Sequence, residues 1–305
     1  MRDPSSLLEA SLLAGRFCVT AEVVPPRSAD AATVIEQARS LVGYADALNV
    51  TDNPTSSAHM SPLAGVALVA AAGIEPTLQL NCRDRNRLAL TSDLLGGWAL
   101  GARNLLCLAG DPVSVGDHPD AKPVFDLSTL ELIRLAAELR ADGRLLSGAT
   151  IESPPRFFVG VADVPLANPY DPARLEQKID AGAHFVQTQI VYDVDAFQAW
   201  ADGARGRGVF ERVSVLAGVA PLRTAKAARS MNENIPGVSV PEPLIAALED
   251  AGPDAADVGV ELTVGIMRRL QAIPGIAGVH VMGLGHELAV RRVIEGAGLL
   301  PRPIP

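Results

Sequence analysis

The sequence predicts a closed (β/α)8 barrel, and three observations carry that prediction. Short β-branched or apolar runs alternate with longer Ala/Leu-rich runs to the end of the chain, and there are eight of the short ones. The polar residues closing the first four, Glu22, Thr51, Asn81 and Asp111, recur at intervals of 29 or 30 residues, the length of one βα unit. The first turn reads Val24-Pro25-Pro26-Arg27, which lacks the glycines that let a doubly wound sheet cradle a pyrophosphate.

In chain order, FCVTAEVV (17–24) is the first strand and 29–43 the helical run behind it. DALNVT (46–51) leads into 60–72, PTLQLN (76–81) into 84–101, and NLLCLA (104–109) into 127–142. FFVGVAD (157–163) precedes 171–181, FVQTQIV (185–191) precedes 195–206, and VSVLAGV (213–219) precedes 222–231. Two further helical runs, near 241–250 and 254–272, come before the last strand, GVHVMGL (278–284), and one near 286–297 follows it. The intervals holding 111–126 and 232–257 are long, and long loops at the C-terminal side of barrel strands usually carry function. No Gly/Ser-rich or charged linker divides the chain. Residues 1–305 therefore read as a single barrel domain, with about 1–14 and 298–305 as peripheral tails.

Composition narrows the function. Of 305 residues, 48% are hydrophobic and 20% charged, enough apolar material for a large core. A net charge of −9 argues against a nucleic-acid binder, which needs a basic face. Cys18, Cys82 and Cys107 are too few and too scattered for a disulfide framework and read as buried thiols. No apolar run reaches the roughly 18 residues of a membrane span, and the N-terminus lacks the apolar stretch of a signal peptide. The expectation is a cytoplasmic protein with no membrane partner.

The barrel fold collects the strand ends at one mouth. Glu22, Asn49, Thr51, Asp52, Asn81, Asp111, Asp163, Gln187, Gln189 and His280 would lie there. None of the three lysines, Lys122, Lys178 and Lys226, falls on a strand, which disfavours Schiff-base chemistry. Glu22 lies beside Val23, Val24 and two prolines, a setting that disfavours its charged form and suits a general acid. It could equally pair with Arg27. Asp111, after Gly110, could accept a pair of N–H donors from a heterocycle, or simply cap a turn. Gln189 could read a ring edge, or be a satisfied interior amide. C-x-x-C, H-E-x-x-H and G-x-S-x-G are all missing, so no metal or nucleophile-elbow motif is present. A carboxylate metal site from Glu22, Asp111 and Asp163, serving a lyase or hydrolase, remains as a rival.

AEVVPPR (21–27), NVTDNP (49–54), QLNCRDRNRLAL (79–90), LAGDP (108–112), GDHPDAKPVFDL (116–127), DAGAHFVQTQIVYDVDAF (180–197) and AGVAPL (217–222) resemble the methylenetetrahydrofolate reductases, in order and spacing, from about residue 17 to 297. The resemblance implies reduction of 5,10-methylenetetrahydrofolate to 5-methyltetrahydrofolate on the same barrel. It implies Glu22 as the general acid, Asp111, Gln189 and Asn81 on the substrate, and Thr51, Gly110, Asp111, Asp171 and Lys178 at the cofactor. Gln79, Ala109, Ala162, Gln177 and Ala225 depart from the flavin-binding pattern, which has histidine, arginine, tyrosine, arginine and an aromatic there. These changes remove pyrophosphate donors and stacking faces. The cofactor expectation is FAD or FMN, or hydride passed directly from NADH or NADPH. The resemblance also leaves room for a homo-oligomer, for a folate-binding subunit fed by a redox partner, and for methyl transfer or demethylation on the same fold.

Overall fold

The protein is described here from a computed structural model covering residues 3–302. Eight parallel strands close into a barrel in sequence order. They are β1 (Cys18–Val23), β2 (Ala47–Val50), β3 (Pro76–Asn81), β4 (Asn104–Leu108), β5 (Phe158–Asp163), β6 (Phe185–Ile190), β7 (Ser214–Val219) and β8 (Ile276–Val281). Thr20 sits beside His280 where β1 meets β8, and Glu22 beside Asn49 where β1 meets β2. The helices behind β1 to β6 are α2 (Ala31–Ser40), α3 (Pro62–Ala71), α4 (Arg87–Ala99), α5 (Thr129–Asp142), α6 (Pro172–Asp180) and α7 (Val194–Gly206). After β7 come α8 (Ala225–Asn234), α9 (Glu242–Asp250) and α10 (Ala255–Gln271), and after β8 comes α11 (Glu287–Gly296). These elements follow the alternation of the sequence to within a few residues. The last strand shifts most, because the chain turns at Leu284 and Gly285, both at positive φ, and the GL of the expected run belongs to that turn.

Strand parity separates two apolar layers. Val19, Ala21 and Val23 face the helices and join the outer core. Cys18 faces inward and joins Leu8, Leu12, Ala47, Leu106, Phe158, Phe185 and Leu216 in a separate interior cluster. Gly160 makes room there: a Cβ on it would stand 2.2 Å from the Phe185 ring. Phe158 and Phe185 stack at 5.0 Å across that space. Helix starts are fixed by side-chain caps, among them Asp30, Asn86, Asp193 and the Ser128/Glu131 capping box.

Both expected tails are corrected. Residues 7–13 form α1 (Leu7–Leu13), which closes the floor of the barrel with Leu8 fully buried. The Leu7 and Leu8 amides donate to the Glu75 carboxylate at 2.7 and 3.1 Å, and Glu9 pairs with Arg140. Burying Leu8 contributes roughly 1.5–3 kcal/mol. At the other end Leu299 is buried, and Arg302 donates to Asp46 and to the Phe17 carbonyl. Residues 1–2 and 303–305 lie outside the described part. The three cysteines are buried free thiols, as expected.

His184, near this floor, has its Nδ1 accepting from the Val159 amide. Burial, reinforced by the Arg140 cation, lowers its pKa from 6.5 to about 4. The unfolded chain therefore binds more protons than the folded one between about pH 6.5 and 4. Stability from this group is complete above that window and is lost as pH falls through it, on the order of 2–3 kcal/mol. Urea unfolding across this range should show the loss, and His184→Gln, which keeps an acceptor but cannot protonate, should flatten it. An unchanged slope in that variant would remove His184 as the cause.

Candidate active site

The mouth of the barrel holds a cavity of about 190 Å³. Its polar lining is Glu22, Gln79, Asp163, Gln187, Gln189 and His280, and Leu106, Leu108, Ala162 and Met282 supply apolar wall. Ligand pockets for whole small molecules run from roughly 300 Å³, so this one is too small to enclose a whole ligand of that kind. A second groove of about 380 Å³ adjoins it, sharing Leu108, Ala162 and Val164 and bordered by Ala109, Arg174, Gln177 and Lys178.

Glu22 projects from β1 with its side chain 13% exposed, its Oε2 3.8 Å from Nε2 of His280. Arg27, the competing partner expected for it, pairs instead with Asp117 at 2.6 Å. Below Glu22 runs a polar chain. His280 Nδ1 lies 3.0 Å from Thr20 Oγ1, which accepts from Gln187 Nε2 at 3.1 Å, and Gln187 exchanges bonds with Asn49. Gln189 lines the cavity with its Oε1 turned to the Ile190 amide and its Nε2 3.5 Å from the Pro236 carbonyl. Asp163 is buried, which raises its pKa, while the Lys178 charge and the Tyr170 hydroxyl at 3.1 Å act against that rise. Lys178 is itself lowered by burial, with Asp163 opposing, and its Nζ donates to the Ala162 carbonyl at 2.6 Å.

Five of the ten expected mouth residues thus line the cavity, and Asn49 lies one layer below them. The others gather on the rim above β2 to β4. Asp111 is exposed, accepts from the Thr55 amide at 2.9 Å and stands outside the cavity lining. Gly110 before it has φ +94°, and a Cβ there would come within 2.9 Å of Arg83 Cβ. Asn81 is not brought to the cavity, because its amide is used on Asp52 and Asp84. Asp52 is buried and bound by both terminal nitrogens of Arg85, at 2.7 and 3.0 Å. Burial pushes Asp84 up, but bonds from Arg83, Asn53 and Asn81 outweigh it and hold it at about 2. Thr51 is buried with its hydroxyl unpartnered. Asp171 is exposed and caps α6 through the Ala173 amide, far in role from a ligand contact. Gln79 and the apolar wall were not picked out as site residues. The available signal was parity, since Gln79 stands two residues before Asn81 and so faces the same side of β3.

Among the described residues no cluster of three His, Cys, Asp or Glu side chains is arranged to hold a metal ion, and no helix is long and apolar enough to cross a membrane.

Fold and site together define a (β/α)8-barrel protein whose mouth cavity is lined by two carboxyl groups, Glu22 and Asp163, and by the amides of Gln79, Gln187 and Gln189. The methylenetetrahydrofolate reductase family model matches residues 7–298, and the chain belongs to that family. Among curated relatives, methylenetetrahydrofolate reductase 1 of Schizosaccharomyces pombe is 29% identical over 238 residues, covering 74% of this chain and 36% of the relative. Methylenetetrahydrofolate reductase 2 of Saccharomyces cerevisiae is 27% identical, covering 75% and 37%. The chain spans little more than a third of the length of these relatives. Of solved structures, an uncharacterised Clostridium thermocellum protein that binds two copies of 5-methyl-5,6,7,8-tetrahydrofolic acid aligns over 96% of this chain and 100% of its own, with a TM-score of 0.66 and 14% identity. At that identity the likeness shows the shared fold.

Proposed function

We propose that the chain seats the pterin of a reduced folate in the mouth cavity and reduces 5,10-methylenetetrahydrofolate to 5-methyltetrahydrofolate, with NADH or NADPH as the hydride source. The observation that carries this reading is the convergence of Glu22 and Gln189 on one ring-sized cavity, with Arg27 drawn away to Asp117. Going from a 5,10-bridge to a 5-methyl group requires the bond from the bridging carbon to N10 to break. Glu22 gives N10 its proton, the C–N10 electron pair leaves with that nitrogen, and an iminium remains at N5. Hydride adds to its carbon, and the nicotinamide is oxidised. Gln189 faces the pterin edge from the cavity wall, and Asp111 on the rim keeps the carboxylate oxygen that Thr55 does not hold for a part of the ligand that extends beyond the cavity.

A flavin, which the family resemblance brings with it, does not fit these residues. No Phe, Tyr or Trp lines the mouth or the adjoining groove, and Ala109, Ala162 and Val164 offer methyl groups where three fused rings would need a face. The Lys178 ammonium places one of its donors on the Ala162 carbonyl. No step is therefore routed through one. Arg174 and Gln177 on the groove wall suit the diphosphate of a nicotinamide dinucleotide that comes and goes. On this reading the protein works in the cytoplasm.

The test is turnover by the purified chain with methylenetetrahydrofolate and NADH or NADPH, alongside a visible spectrum. Folate-dependent nicotinamide oxidation without flavin absorbance is expected. Turnover with a viologen donor but with neither nicotinamide would instead favour a subunit fed by a redox partner.

A further inference from the structure

The interior of the barrel changes character halfway up. Near the floor it is Leu, Phe, Cys and Ala, whereas one layer below Glu22 it is Thr20, Asn49, Gln187 and His280, each at most 4% exposed. Leucine or phenylalanine would fill that layer without the desolvation that four polar side chains cost, so packing does not call for them. Their bonds connect them into one chain that ends at His280. Asn49 holds Gln187 through two bonds, of 2.7 and 3.3 Å. Gln187 then donates to Thr20 Oγ1 at 3.1 Å, filling an acceptor position and leaving the hydroxyl hydrogen to be placed. Two acceptors compete for it, His280 Nδ1 at 3.0 Å and the Val279 carbonyl at 3.5 Å. Assigned to the shorter contact, it lies toward Nδ1. With Nδ1 accepting, the ring proton of neutral His280 sits on Nε2, the nitrogen that faces Glu22 at 3.8 Å. That gap exceeds a hydrogen bond and closes by a small rotation of either side chain or through one water.

We propose that His280 is the positioning residue of Glu22. Thr20, itself held by Gln187 and Asn49, fixes the imidazole with its proton on Nε2, and this N–H holds one carboxyl oxygen and steadies the carboxylate left when the proton goes to the substrate. The kinetic part rests on the acid role given to Glu22 above. The tautomer does not, and it can be read in the protein alone.

The first measurement is nitrogen NMR of protein labelled at histidine, with the His280 signals assigned by their loss in His280→Gln. An unprotonated Nδ1 and a protonated Nε2 are expected, and Thr20→Val, which removes the hydroxyl, should erase that preference. A proton on Nδ1 of the native protein overturns the proposal. The second is kinetic. His280→Phe should lower kcat on the order of 10- to 100-fold and leave the KM for folate within about twofold. His280→Gln, which can still present an N–H, should recover much of the loss. In a Glu22→Gln background His280→Phe should cost little more, because the group it serves is gone. Full additivity in the double variant, or a raised KM at unchanged kcat, contradicts positioning. Native turnover in Glu22→Gln alone would end the acid reading and leave the tautomer result to judge the network.

Discussion

Glu22→Gln is expected to lower kcat by about two to four orders of magnitude, the usual contribution of a positioned general acid, while folate still binds. Glutamine keeps the shape of the side chain but replaces the ionisable carboxyl with an amide that has no acidic proton to transfer. The fall should therefore appear in kcat, with folate affinity by titration calorimetry close to native. Local geometry supports so specific a loss. Glu22 faces Nε2 of His280 at 3.8 Å, and Arg27 is engaged by Asp117. No buried arginine is thus stranded by the change, and stability should hold. Native turnover in this variant would refute the assignment. A variant that no longer binds folate would show Glu22 to be a binding group.

The barrel was legible because its physics is local. Each βα unit repeats one hydrophobic switch, from a short strand to a long helical run, and Glu22, Thr51, Asn81 and Asp111 kept the same spacing. Glu22, Gln189, Asp163, Gln187 and His280 could be placed at the mouth because a barrel collects its strand ends there. The roles of the rim residues could not. In the sequence, Asp52 and Asn81 read as polar groups at the mouth. In space, Arg85 binds Asp52, Arg83 binds Asp84, and Asn81 bonds both carboxylates. Part of the expected mouth is thereby an ion-pair frame. The Arg85–Asp52 pair links residues 33 positions apart, and no periodic pattern reports it. The floor helix was missed for a related reason. LLEASLL is too short to announce itself by period, and its apolar face is explained only by the open bottom of a barrel that the rest of the chain builds.

Arg302→Met is expected to destabilise the fold by about 3–5 kcal/mol, the usual cost of leaving one partner of a buried ion pair uncompensated. The Asp46 side chain is 1% exposed and that of Arg302 9%. One Asp46 oxygen accepts both the Val19 amide and the Arg302 guanidinium, and the other has no partner. Removing the cation leaves that carboxylate buried just before β2 and bonded to the Val19 amide of β1, one residue from Thr20 and three from Glu22 along the strand. The double variant Asp46→Asn/Arg302→Met should recover most of the loss, because asparagine still accepts from Val19 and carries no charge to strand. Urea midpoints at constant m-value measure both quantities. A single variant within about 0.5 kcal/mol of native would show the pair to be solvated rather than buried. Recovery in the double variant would instead assign the cost to the orphaned charge, and would mark the segment reaching Arg302 as part of what holds the catalytic strand in place.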